Sequence, residues 1–258
     1  MDTLAKLRAS QLAGVKRLDL SCGLTEFPVE IFQLADSLEI LNLSGNALSS
    51  LPGDLHRLTR LRILFCSDNQ FTELPACLGQ CEQLSMIGFK ANRIEHVPGE
   101  ALPPLLRWLI LTDNCISQLP EELGQRPLLQ KLMLAGNRLQ QLPRSLANCE
   151  RLELIRLAAN QFDGLPDTVL ALPALSWLAY AGNPLREDAS IYRAPDNMPN
   201  IDWSQLEIGQ KLGEGASGVI YQARWIAPDQ ASQSVAVKLY KGSITSDGSP
   251  LNEMNACI

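Results

Sequence analysis

Three glycines at GxGxxG spacing, Gly213, Gly215 and Gly218, and the lysine that follows at Lys238 are the residues best suited to chemistry. Without Cβ atoms, such glycines let backbone N–H groups close around phosphate oxygens, and a lysine ammonium supplies the opposing charge. Dinucleotide folds use the same spacing, but they require a helix to open at the third glycine. Here residues 219–225 read Val-Ile-Tyr-Gln-Ala-Arg-Trp, β-branched and aromatic, so the glycines are predicted to cap an antiparallel hairpin instead. In the next run, Val235, Ala236, Val237 and Lys238, a period of two puts Ala236 and Lys238 on one face, with Val235, Val237 and Leu239 on the other. The lysine thus points to where a nucleotide under the glycine turn would lie.

Preceded by WxxLxIGxxLG, from Trp203 to Gly213, this pattern resembles the opening of the eukaryotic-type protein kinase domain, in particular the tyrosine-kinase-like group of Ser/Thr kinases. The resemblance implies that Gly213, Glu214, Gly215, Ala216, Ser217 and Gly218 cover the phosphates of ATP. Leu212, Ile220 and Ala236 would sandwich the adenine, and Lys238 would hold the α- and β-phosphates. Glu253 is the implied helix glutamate that orients Lys238, with Ser249 as N-cap and Pro250 at the first helical position supporting a helix there. Ser217 stands where the family usually carries an aromatic residue, and Ile220 where it carries valine. ATP and Mg are the cofactors implied for a full-length parent. The resemblance covers residues 203–258 and includes neither an HRD catalytic loop nor a DFG metal site, so these 258 residues are expected to be inactive alone and to bind no cofactor. A hairpin plus one strand is expected to leave half of its core uncovered.

Other chemistry is thinly represented. Seven cysteines lack CxxC pairing, and Cys77 and Cys81, four apart, have both histidines, His56 and His96, elsewhere in the sequence. They are read as reduced thiols, with no metal site. A formal charge of −6 without a Lys/Arg run argues against a nucleic-acid partner. No apolar stretch approaches the roughly 20 residues of a membrane span, and the N-terminus lacks a signal-peptide core, so no membrane association and a cytoplasmic location are expected. The sequon at Asn42, Leu43 and Ser44 is read as chance.

The elements that position any site come from a repeat. Leu38, Leu41, Leu43, Asn46, Leu48, Leu51 and Pro52 define LxxLxLxxNxLxxLP, and the asparagines recur at 69, 92, 114, 137, 160 and 183, in steps of 22 or 23. A first unit at Val15, Leu18, Leu20, Leu24, Phe27 and Pro28 fits with Cys22 or Gly23 in place of asparagine. A strand places both leucines of LxL on one face, so successive turns stack into a continuous core. The asparagine amide, at the bend that follows, is positioned to satisfy backbone groups of neighbouring coils. Past each proline a period near three suits a short helix or 3₁₀ turn, and Cys66, Cys81 and Cys149 occupy leucine positions as small buried hydrophobes. On these motifs residues 15–185 resemble leucine-rich-repeat proteins of the LxxLP, 23-residue type. Combined with the kinase-like segment, the chain resembles bacterial leucine-rich-repeat protein kinases. The implied fold class is α/β: a curved parallel-β solenoid with short convex helices or turns, followed by an incomplete antiparallel β fragment of a kinase N-lobe. The expected organisation is an N-terminal helical cap at 1–14, the repeats at 15–185, a cap and linker at 186–200, and the partial kinase lobe at 201–258.

Function is then sought in the positions the scaffold leaves free. Residues before and between the core leucines point into the concave groove. Ile40, Ile63, Phe65, Met86, Trp108, Ile110, Met133, Leu154 and Trp177 form a nearly unbroken apolar track expected to be exposed. Such a track with aromatic anchors points to a protein partner, or another segment of the same protein, on the concave face. The resemblance implies recognition by the solenoid and phosphorylation of protein hydroxyls by the parent. The alternative is a non-catalytic binding scaffold with a vestigial kinase segment.

Overall fold

The computed structural model describes residues 3–184, 201–215, 218–226 and 232–240. A short helix, α1 (Thr3–Arg8), buries Leu7 against the first coil. Eight three-residue strands follow: β1 (Arg17–Asp19), β2 (Ile40–Asn42), β3 (Ile63–Phe65), β4 (Met86–Gly88), β5 (Trp108–Ile110), β6 (Lys131–Met133), β7 (Leu154–Arg156) and β8 (Trp177–Ala179). They form one parallel sheet in chain order, each residue facing its counterpart one repeat on, as in Leu41↔Leu64 and Leu64↔Ile87. The central residue of each strand from Leu18 to Ile155 is buried, and Leu20, Leu43, Cys66, Phe89, Leu111, Leu134 and Leu157 complete the core beside it. In the last coil the equivalent residue, Leu178, is 36% exposed.

Six return paths are 3₁₀ turns and the seventh is a one-turn helix, α2 (Asp167–Leu170). A proline starts every one: the carbonyls of Pro28, Pro52, Pro75, Pro98, Pro120, Pro143 and Pro166 each accept the N–H three residues on. Six of these prolines are the N-cap residues, with φ between −60° and −74° and extended ψ, a conformation whose φ the pyrrolidine ring presets. Adjacent turns pack so closely that a Cβ at Gly79 or Gly124 would collide with the backbone carbonyl of Glu100 or Ser145. Glu121 ties two turns together, its carboxylate accepting the N–H groups of Arg144 and Ser145.

The asparagines form the expected ladder. Asn137 Oδ1 accepts Ile116 N–H (3.0 Å), while its Nδ2 donates to Leu111 O (2.9 Å) and Leu134 O (3.0 Å). Asn69, Asn92, Asn114 and Asn160 repeat this pattern, and Asn46, lacking an asparagine below it, serves both Cys22 N–H and Leu24 N–H. The residue before each asparagine is left-handed, with φ between 52° and 76° at Gly45, Asp68, Ala91, Asp113, Gly136, Ala159 and Gly182. That reversal turns the chain out of the strand so that the next side chain enters the core edge.

Strands β9 (Leu206–Glu214), β10 (Gly218–Trp225) and β11 (Gln233–Tyr240) make a second, antiparallel sheet in the order β11-β10-β9. Within it only Gly218 and Ala223 are buried. No helix among the described residues is long and apolar enough to cross a membrane.

Candidate functional site

The concave face is built from two columns of side chains that the parallel register aligns. One runs Arg17, Ile40, Ile63, Met86, Trp108, Lys131, Leu154, Trp177, and the other Asp19, Asn42, Phe65, Gly88, Ile110, Met133, Arg156, Ala179. All nine residues expected on the apolar track lie in these columns, side by side on neighbouring strands. Their exposure differs from the expectation. Ile40, Ile63, Phe65, Met86, Trp108, Ile110, Met133 and Leu154 are half-buried, and only Trp177, at 54%, is open to solvent. The reason is the short interstrand spacing of a sheet: each side chain is flanked on both sides by its counterparts and shields them.

Local packing divides the face into zones. At the N-terminal end Arg17 grips Asp19 through Nε (2.7 Å) and a terminal nitrogen (2.9 Å), and Asn42 Nδ2 donates to the same carboxylate (3.0 Å). The Arg17 hydrogen bonds hold the Asp19 carboxyl below the usual carboxylate range. Asn42 Oδ1 also accepts Ser44 N–H, so both ends of the sequon amide are occupied. In the centre the Phe65 ring leans over Gly88, where an added Cβ would lie 2.5 Å from ring carbon Cδ1. Beyond it the Lys131 ammonium sits 3.9 Å from the centroid of the Trp108 ring. The polar cluster, the Phe65 lean and the Lys131 stack carry no sequence signal beyond residue type, because each depends on which rotamer the neighbouring coil allows.

The second candidate region is the glycine turn of the antiparallel sheet. Ile220 faces both Gly213 on β9 and Lys238 on β11, and Gln222 faces Ala236, which puts Ile220, Ala236 and Lys238 on one face. A bulge at Leu212 interrupts the β9 register, and that side chain is 55% exposed. Gly215 N–H donates to Gly218 O (2.9 Å), closing the turn, and Glu214 pairs with Lys211. At Gly218 a Cβ would meet Leu239 O at 2.5 Å and Lys238 Cε at 3.3 Å, so the lysine stem runs beside the turn. Its ammonium also lies 4.7 Å from the Tyr240 ring. A lysine beside a glycine turn is chemically suited to a phosphate group. Ala216, Ser217 and Glu253 lie outside the described residues.

Four of the cysteines are packed into the core. Cys66, Cys77, Cys81 and Cys149 are buried, and Cys81 Sγ donates to the Cys77 carbonyl (3.6 Å). Burial pushes the Cys81 thiol up to about 12 and the Cys77 and Cys149 thiols up to about 11. No cluster of three or more His, Cys, Asp or Glu suited to a metal occurs among the described residues.

Comparison with known proteins supports the repeat. Residues 36–95 match the family described as "Leucine Rich repeats (2 copies)". A probable inactive serine/threonine-protein kinase, roco10 of Dictyostelium discoideum, is 36% identical over 121 residues, 43% of this chain and 4% of its own length. The chain therefore spans a small fraction of that relative. The leucine-rich-repeat protein LIC12759 of Leptospira interrogans superimposes with a TM-score of 0.53 at 29% identity, covering 69% of this chain and 51% of its own. The ectodomain of the Arabidopsis thaliana receptor kinase GASSHO1/SCHENGEN3, solved in complex with CASPARIAN STRIP INTEGRITY FACTOR 2, gives 0.55 at 29% identity, covering 69% and 25%. The eight parallel strands and the short turns between them fit a leucine-rich-repeat solenoid, the fold of these solved relatives.

Proposed function

We propose that the solenoid docks a protein segment on its concave face and that residues 206–240 open the ATP-binding lobe of a cytosolic Ser/Thr protein kinase. The observation that carries the docking reading is the registered apolar double column from Ile40 to Trp177. It is nearly unbroken and carries two tryptophans, a residue type enriched among energetically dominant contacts at protein interfaces. A solved structure of similar fold was obtained with a bound factor, which is in keeping with this reading.

The kinase reading is supported by the order of Gly213, Gly215, Gly218, Ala236 and Lys238 and by the face that Ile220, Ala236 and Lys238 share. In that reading ATP supplies the transferable phosphoryl group, bound with Mg. The glycine turn contributes backbone N–H groups and Lys238 a positive charge that fixes the phosphates, which is orientation and electrostatic stabilisation. The protein substrate would be delivered by the repeats. The relative roco10 is described as a probable inactive kinase, which is in keeping with the second reading, a binding scaffold whose kinase segment does no catalysis.

Docking is tested by panning the immobilised chain against a random-dodecapeptide display library. Enriched peptides are expected to lose at least about thirtyfold in affinity for the double variant Trp108→Ala, Trp177→Ala, the order of a single interface hot spot, with little change in Tm. Unchanged affinity, or loss of folding in the double variant, would overturn it. The catalytic reading is tested in the parent protein: Lys238→Met should abolish autophosphorylation from radiolabelled ATP, and a parent lacking HRD and DFG motifs decides for the scaffold.

A further inference from the structure

The charges on the concave face say what kind of segment fits it. Three cations and one anion stand in the two columns: Arg17, Lys131 and half-buried Arg156, with Asp19. The first cation is neutralised in place, since Arg17 and Asp19 hold each other through two hydrogen bonds and Asn42 saturates the same carboxylate. Lys131 is treated differently. It forms no ion pair among the described residues; its ammonium rests on the Trp108 ring, between half-buried Met86 and Trp108 on one side and Leu154 on the other. A cation held by an aromatic face keeps its charge while losing conformational freedom, so an anion that arrives there meets a pre-positioned partner. Partial shielding by the surrounding apolar side chains strengthens that attraction relative to open water. In a chain of net charge −6, this puts local positive charge inside the most apolar surface of the sheet.

The geometry points to an acidic, apolar protein segment as the occupant of the groove: an Asp or Glu carboxylate on Lys131, with apolar side chains on either side spread over Trp108 and Ile110 and over Leu154 and Trp177. The inference rests on the docking reading above and specifies its ligand. Nucleic acid would also bring anions, but it would present a continuous phosphate row to a surface carrying mostly Ile, Met, Phe and Trp, leaving most of those phosphates without a counter-charge.

The test uses the full chain and the same dodecapeptide library. Peptides enriched on the wild type are expected to carry Asp or Glu between two apolar residues, and their affinity should fall about tenfold for Lys131→Met, whose side chain keeps the length and apolar stem. Raising salt from 50 to 500 mM should weaken wild-type binding severalfold and leave Lys131→Met unchanged. Repanning on Lys131→Glu should replace the acidic residue by Lys or Arg. Enriched peptides without acidic residues, or with equal affinity for Lys131→Met, overturn the inference; if these still lose binding on Trp108→Ala, Trp177→Ala, the docking reading stands without it. Peptides indifferent to all three positions, or no enrichment, overturn both. Micromolar binding of a single-stranded oligouridylate that depends on Lys131 would assign the site to nucleic acid and also overturn the inference.

Discussion

Replacing Asn137 with alanine removes three hydrogen bonds from a residue that is almost wholly buried, yet the ladder is redundant in one direction. Leu111 O still receives Asn114 Nδ2 (3.0 Å), and Leu134 O still receives Asn160 Nδ2 (2.9 Å). Only the Ile116 N–H is left without its acceptor. An unsatisfied buried donor costs about 1–3 kcal/mol, and the two weakened carbonyls add about 0.5 kcal/mol each, at the low end because each keeps one donor. The expected loss is about 3 kcal/mol, which for a unit of this length lowers Tm by roughly 6–12 °C. Asn46→Ala frees more groups, Cys22 N–H, Leu24 N–H and Leu20 O, but at the open end of the stack where Cys22 is exposed and water substitutes, so about 1 kcal/mol is expected. Urea unfolding followed by far-UV circular dichroism measures both. An Asn137→Ala loss within about 0.5 kcal/mol of zero, or a larger loss at Asn46, would refute the ladder reasoning.

Three further outcomes are expected. Gly79→Ala drives a Cβ into the Glu100 carbonyl and should cost about 1–3 kcal/mol, whereas Gly53→Ala, with nothing near the added carbon, should be neutral or slightly stabilising by the same unfolding assay. Ala159→Gly relieves a left-handed alanine, worth about 1–2 kcal/mol, against glycine's entropy cost of about 0.5–1 kcal/mol, so a net gain of up to about 1.5 kcal/mol is expected; a loss would contradict it. At pH 8 a thiol raised to about 12 is thiolate in only about one molecule in ten thousand, so iodoacetamide should label Cys22 in the native chain and leave Cys81 untouched until unfolding; rapid labelling of Cys81, read by mass spectrometry, would show that it is not buried.

Much of the solenoid is legible in the chain because it is periodic. Leucines at LxL, asparagine after the bend and proline before the turn each repeat, and a feature repeated seven times stands out from composition. The left-handed column is equally periodic in the backbone but hidden in the sequence: Gly, Asp and Ala share it, and alanine carries no mark of positive φ. Side-chain columns on the concave face follow from strand alternation, so all nine track residues could be placed from sequence. Their half-burial could not, because it arises from neighbours in adjacent coils. The same holds for Phe65 over Gly88 and Lys131 on Trp108, contacts between residues one repeat apart. In the antiparallel sheet, alternation puts Ala236 and Lys238 on one face, and the two register shifts of β9, at Leu212 and between Ile208 and Lys211, are the local departures from it.

The central claim is that the concave apolar columns are where a protein segment docks. Hydroxyl-radical footprinting reads it directly, since tryptophan and methionine side chains oxidise fastest and Met86, Trp108, Met133 and Trp177 all lie in the groove. With a panned peptide at saturation, oxidation of these four should fall severalfold while Trp203, 57% exposed and outside the groove columns, stays unchanged as the internal reference. Protection of Trp203 with no change at Trp108 and Trp177 would contradict the account.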